Sequence, residues 1–171
     1  MLALMRPEGF LMLEYRKATG VITETGNDLV GIAVPWGEWA EIREGGLVFR
    51  EQFAQDSVAV PESATLRYGH DPRAVPLARV GAGTIAFRNG EHGLMFDAKL
   101  PESAFSIREA LKRGDLDGSV SIGFYAEKDI KKSTRGGKVA FTRTVTAASL
   151  DHLALVETPA YKNARAIFNE S

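Results

Sequence analysis

The sequence contains no cysteine. That excludes disulfides, thiolate metal sites and a cysteine nucleophile together, and it suits a reducing cytosol. Histidine is scarce: His70, His92 and His152 are the only three in 171 residues. A zinc hydrolase usually commits two or three histidines and a carboxylate to its metal. No His-x-x-x-His pair occurs here, so neither a metal nor another cofactor is expected. No sign of charge dominates, since 21 basic and 22 acidic side chains leave a net charge of −1. Charge therefore gives no support to a nucleic-acid or membrane-surface role. No run approaches the roughly 18 to 20 apolar residues of a membrane span. The apolar start, Met1 to Met5, is interrupted by Pro7, Glu8 and Gly9, and it lacks the longer apolar region and cleavage site of a secretory signal. Fixed-period repeats, low-complexity segments and long linkers are also missing. The expectation is a single domain over residues 1–171 that is neither secreted nor membrane-bound.

What is present is the composition of a folded protein, with 44% hydrophobic and 25% charged residues, in a chain long enough to bury a core. Its dominant pattern is short strands between Gly, Pro, Asn and Asp turns. Strands are expected at Leu11 to Arg16, Val21 to Thr25, Leu29 to Val34, Leu47 to Phe53 and Leu66 to Tyr68. Others are expected at Leu77 to Val80, Thr84 to Phe87, Gly93 to Leu100, Gly118 to Ala126, Val139 to Val145 and Leu150 to Val156. Asn89-Gly90 is a strong hairpin turn. One helix stands out, with Ala104, Ile107, Ala110 and Leu111 in an apolar stripe. Ser103 or the Ser106-x-x-Glu109 pair is read as its cap, and Gly114 as its left-handed end. Phe53 to Val60 is a candidate second helix. Lys128 to Lys138 is basic, ends in Gly136-Gly137, and reads as an exposed loop. The fold class is mainly β with flanking helices. We expect a small closed or nearly closed barrel of about six to eight strands, since closure removes sheet edges, with one or two helices packed outside.

Three places carry residues suited to chemistry. In Gly118-Ser119-Val120-Ser121-Ile122-Gly123-Phe124, strand alternation turns Val120, Ile122 and Phe124 into the core and Ser119, Ser121 and Gly123 to the other face. Hydroxyls on the solvent side of any strand would look the same. His70 lies in Tyr68-Gly69-His70-Asp71-Pro72, at a strand end where binding and catalytic residues are frequent. An imidazole with an unperturbed pKa of about 6.5 is a natural proton acceptor at neutral pH. A surface turn histidine, with Asp71 capping the turn, is the plainer reading. His152 lies among apolar residues in Leu150-Asp151-His152-Leu153-Ala154-Leu155-Val156. A buried imidazole needs a partner, either a backbone carbonyl or another imidazole.

Together these suggest a Ser-His-His set working by triad logic. His70 would take the Ser121 proton, and His152 would fix the tautomer of His70. A neutral third member stabilises the imidazolium less than a carboxylate, so a slow enzyme is expected. Asp151 is the rival third member, though alternation sends it to the opposite face from His152. Ser119 is the rival nucleophile. Arg143 and Arg165 are candidates for oxyanion support, or else ordinary surface arginines. His92, next to the hairpin turn, is read as non-catalytic.

Several segments resemble the prohead maturation proteases of tailed bacteriophages, serine proteases distantly similar to the herpesvirus assembly protease. They are Gly31-Ile32-Ala33-Val34-Pro35-Trp36, Glu44-Gly45-Gly46-Leu47-Val48-Phe49, Gly69-His70-Asp71 and Gly93 to Leu100. Gly114-Asp115-Leu116-Asp117-Gly118 with Ser121-Ile122-Gly123-Phe124, and Thr158-Pro159-Ala160-Tyr161, complete the set. The resemblance runs from about Gly31 to about Ile167. It implies that the Gly-His-Asp histidine, His70, is catalytic and that Ser121 rather than Ser119 is the nucleophile. Many members carry a glutamate where this chain has His152, and a histidine there is similar to the herpesvirus Ser-His-His arrangement.

The resemblance further implies an endopeptidase made in the host bacterial cytoplasm and acting inside the prohead. There it would cleave the scaffold, or the scaffolding segment of the major capsid protein, and also itself. A homodimer would match the herpesvirus proteases. The alternatives are a non-catalytic virion or scaffold-associated barrel, and a binding barrel whose serine and histidines are incidental.

Overall fold

The computed structural model describes residues 12–18, 29–157 and 167–168. In chain order the strands are β1 (Leu13–Ala18), β2 (Leu29–Pro35), β3 (Ala40–Glu44), β4 (Leu47–Phe53), β5 (Val58–Ala59) and β6 (Thr65–Tyr68). They continue as β7 (Ala78–Arg79), β8 (Ile85–Asn89), β9 (Gly93–Ala98), β10 (Val120–Ser133), β11 (Phe141–Leu155) and β12 (Ile167–Phe168). The helix α1 (Phe105–Arg113) lies between β9 and β10. The protein is mainly β, as the turn-punctuated sequence suggests.

The ladders form two sheets, and no closed ring of strands is found among the described residues. One sheet runs β1-β10-β11-β4-β3, with β5 and β6 also pairing along β11 and β7 pairing with β6. The other runs β12-β2-β9-β8. They share one apolar core, to which β2 contributes Leu29, Ala33 and Val34, β9 contributes Leu94 and Phe96, and β10 and β11 contribute Ile122, Phe124, Leu150 and Leu153. A bridge from Trp36 to Phe53 joins the sheets. Trp36 is pinned there by its backbone N–H to the His92 carbonyl at 3.0 Å and by its indole N–H to the Gly90 carbonyl at 3.2 Å.

Four expectations change. The region from Phe53 to Val60 holds the end of β4, a turn and the short strand β5 rather than a helix. α1 is entered from a 3-10 turn, Glu102–Ala104, with Ala104 at the cap position and no side-chain capping bond, so neither Ser103 nor the Ser106–Glu109 pair caps it. Gly114 does close the helix, at φ 78°, where a side chain would be strained. The basic segment from Lys128 is largely strand, because β10 continues to Ser133 and pairs with Phe141 to Val145. Finally, the two strands expected at 139–145 and 150–156 are one, β11. The polar and small residues between them, Thr146 to Ser149, continue the ladder because backbone pairing with β10 and β5 does not require large side chains. The strand expected at Val21 to Thr25 lies outside the described residues.

Strands β10 and β11 bend along their length, with register shifts at Gly123/Phe124, Ala126/Lys128 and Lys128/Asp129. Such bulges re-aim side chains and sharpen twist. The first of them builds the site described next.

Candidate active site

The register across four strands defines two adjacent rows on one face of the larger sheet. Tyr15, Gly123, His152 and Thr65 form one row. Ser121, Ala154 and Arg67 form the next. Ser121 is thus a diagonal neighbour of His152, across the pair Gly123–His152. Ser121 and His152 are not open to water on this face, contrary to the expectation of an outer patch: each is 1% exposed. Their common side is set by the register of β10 and β11, and the sequence does not show that this side is also covered.

Glycine is required at position 123. A Cβ there would sit 2.4 Å from Cε1 of the His152 ring, so the imidazole lies directly on the Gly123 backbone. His70 reaches the same place by a different route. Strand β6 runs parallel to β11 as far as Tyr68 opposite Leu155. Gly69 then donates its N–H to the Leu155 carbonyl at 2.8 Å and turns the chain at φ 69°. The half-buried His70 ring is set with Nδ1 2.7 Å from Nε2 of His152.

Tyr15, on the far side of β10, meets the His70 ring edge-on at 4.6 Å and the His152 ring at 5.8 Å between centroids. His70 therefore contacts side chains from β1 and β11, the strands on either side of β10. That places it above β10, on the face that carries Ser121. Tyr15 was missed in the sequence. It lies upstream of the family-like segments, and no short motif marks an aromatic on an edge strand.

The chain of contacts continues beyond His152. Its Nδ1 lies 2.7 Å from Oδ2 of Asp151. This corrects the alternation argument, which sent Asp151 to the opposite face. At the bulge, His152 is opposite Gly123 while Leu150 is opposite Phe124, leaving Asp151 without a partner on β10. An extra residue breaks the two-residue period locally, and the carboxylate and the imidazole come together.

The other candidates separate. Ser119 is buried, and its hydroxyl donates to Oδ1 of Asp117 at 2.5 Å, with its N–H bonded to the same oxygen at 2.9 Å. The Ser121 hydroxyl donates to the Arg16 carbonyl at 3.0 Å. Asp71 receives the Arg73 N–H at 2.9 Å and caps its turn. That bond, with help from the Arg73 side chain, lowers the Asp71 pKa. The Tyr68 hydroxyl donates to Glu157 at 2.6 Å, which raises the phenol pKa, with burial and the charge of Glu157 adding to the effect. His92 is exposed beside the β8–β9 turn. Arg165 and the Pro159-Ala160 pair lie outside the described residues.

Arg143 is neither a surface side chain nor turned toward an oxyanion. It is 2% exposed and bonds Glu14 at 2.5 Å, Asp129 at 2.7 Å and Glu51 at 2.9 Å. Burial works against its charge, but the hydrogen bond to Glu14 and the charges of Glu51 and Glu14 outweigh it and raise its pKa. Arg16 completes the cluster, 2.6 Å from Glu51 and 2.9 Å from Glu14, with its guanidinium over the Phe124 ring. Sequence spacing gives no hint of this network, because its members come from β1, β4, β10 and β11.

A buried serine beside a histidine pair, on strands in this order, is the pattern that comparison with known families resolves. The model for caudovirus prohead serine proteases matches residues 13–171. The chain belongs to that family. It is a serine peptidase, a hydrolase of peptide bonds that serves phage capsid maturation. The match takes in β1 and therefore Tyr15, which lies before the segments that carry the resemblance in the sequence. The chain matches no curated protein and no solved structure. Among the described residues, no helix of this prohead protease is long and apolar enough to cross a membrane.

Proposed function

We propose that this prohead protease cleaves the scaffold, or the scaffolding segment of the major capsid protein, with Ser121 as nucleophile, His70 as general base and His152 as the residue that orients His70. The observation that carries this reading is the position of the His70 ring, held between His152 and Tyr15 above the strand of Ser121. In the resting arrangement the Ser121 hydroxyl is held by the Arg16 carbonyl. As a substrate carbonyl arrives, rotation about χ1 turns the hydroxyl toward Nε2 of His70. The oxygen attacks the carbonyl carbon while His70 takes the proton. His70 then gives that proton to the leaving amine as the peptide C–N bond breaks, and water repeats the cycle on the acyl-enzyme. The work is done within the procapsid in the host cell, and self-cleavage belongs to the same reading.

The test is co-expression with the major capsid protein, with fragments identified by mass. Ser121→Ala is expected to reduce cleavage by about 10⁴-fold or more without changing the circular dichroism, and the lost hydrogen bond to Arg16 is expected to cost only about 1 kcal/mol of stability. Full processing by that variant would assign the nucleophile elsewhere, with Ser119 next in line.

A further inference from the structure

A base of the kind proposed needs one particular tautomer. His70 must carry its proton on Nδ1 so that Nε2 is bare toward the serine. His152 can enforce this only if its own Nε2 is bare, since two N–H groups cannot share one hydrogen bond. An imidazole alone has no reason to keep its proton on Nδ1, and a buried one satisfies itself with whatever partner is near. A group that accepts and never donates, placed at Nδ1 of His152, settles the question.

Asp151 is such a group. Its Oδ2 is 2.7 Å from Nδ1 of His152, and its side chain is 32% exposed. An ionised carboxylate only accepts, so His152 must carry the Nδ1 proton and present a bare Nε2. That nitrogen then accepts the Nδ1–H of His70 across 2.7 Å. The remaining His70 nitrogen is left bare.

We infer that Asp151 is a positioning residue for the hydrolysis, setting the tautomers of both imidazoles and placing a negative charge at the far end of the relay. This rests on the assignment of Ser121, His70 and His152 proposed above. The proton removed from Ser121 stays on Nε2 of His70 until it passes to the leaving amine, and the Nδ1 protons of both rings stay where they are. The charge of Asp151 lowers the cost of the transient imidazolium, which a neutral histidine does poorly.

The placement is a product of the bulge. Asp151 has no partner on β10, and β11 also has no partner between Ser149 and His152 on its other edge, where it passes from β5 to β6. Among the described residues, the ionisable and charged groups near the pair include Tyr15 on β1, Arg67 on β6, which bonds Thr65 at 2.9 Å, and Asp71 next to His70, which is tied to Arg73. They are unchanged in the variants below.

Two readouts test the inference. In the Ser121→Ala protein, nitrogen NMR of the histidine rings is expected to show both His70 and His152 as Nδ1–H tautomers. Adding Asp151→Ala is expected to return His152 to the Nε2–H form that free imidazole side chains prefer. In the active enzyme, Asp151→Asn is expected to lower kcat by about 10- to 100-fold and to move the acid limb of kcat/KM to lower pH, because the imidazolium is then less favoured. Asp151→Glu is expected to recover part of both. An unchanged His152 tautomer in Asp151→Ala, or a lower kcat in Asp151→Asn with an unmoved acid limb, overturns the inference. Neither result touches the serine assignment, which falls only if Ser121→Ala still cleaves.

Discussion

Strands β1, β10 and β11 carry a buried polar cluster on each of their two faces, and the two clusters are satisfied in different ways. Glu14 and Arg16 lie in register with Phe124 and Ile122 and face the interior. There, Arg16, Arg143, Glu14, Glu51 and Asp129 close on one another, with every positive group meeting carboxylates within 2.9 Å. Tyr15, Gly123 and His152 lie on the opposite face, where Asp151, His152 and His70 form a line with a beginning and an end. The closed cluster pairs two guanidinium groups with three carboxylates. The line contains two imidazoles, side chains suited to passing a proton, and it terminates at a ring above the serine strand. A closed network holds strands in place; an open one can deliver a proton. Arg16 belongs to both, since its guanidinium joins the ion cluster while its carbonyl accepts the Ser121 hydroxyl.

The contrast makes sharp predictions. His70→Ala should lower cleavage most, by about 10⁴-fold. His152→Ala should cost less, because the base survives with its orientation lost. Steady-state kinetics on a peptide spanning the capsid cleavage site would check the order, and a larger loss for His152→Ala would reverse the two roles.

On the other face the expected effect is on stability. Glu51→Gln removes the carboxylate shared by Arg16 and Arg143 at a position 2% exposed. Breaking a buried pair costs about 3–5 kcal/mol, which denaturant melts should resolve. Cleavage per folded molecule should stay within about threefold, at the level of an ordinary surface change. A loss comparable with that of His70→Ala would mean that the Arg16 backbone transmits the ion cluster to Ser121.

The smallest effect expected belongs to Gly123→Ala, which tests how tightly the line is held. The added Cβ would meet the His152 ring at 2.4 Å and must displace it. A displacement of about 1 Å costs up to about 100-fold in rate, with about 1–3 kcal/mol of overpacking in stability. If kcat were unchanged while the melt shifted, the ring would have more freedom than its contacts imply.

Much of the framework was legible in the chain. The apolar run of β2, the alternation of β9, the Asn89-Gly90 turn and the Gly114 helix end all depend on neighbours a few residues apart, and they appear where local physics puts them. The face shared by Ser121 and Gly123 also followed from alternation, whereas its sharing with His152 came from the register of β10 and β11. Asp151 was misplaced by the same rule, since a bulge is set by how two strands pair and not by either strand's own sequence. Arg143 was misread for a related reason: nothing local distinguishes an arginine bound for solvent from one that carboxylates of three other strands will enclose.

The sequence by itself determined the residue types available for chemistry, the β character and the family, because composition, short-range periodicity and ordered motifs are properties of the chain. Tertiary structure alone decided that the serine is buried, that Asp151 meets His152, that Tyr15 covers the histidines and that two arginines are enclosed by acids. Each of these depends on contacts between strands far apart in sequence, whose register and bulges exist only once the sheet has formed.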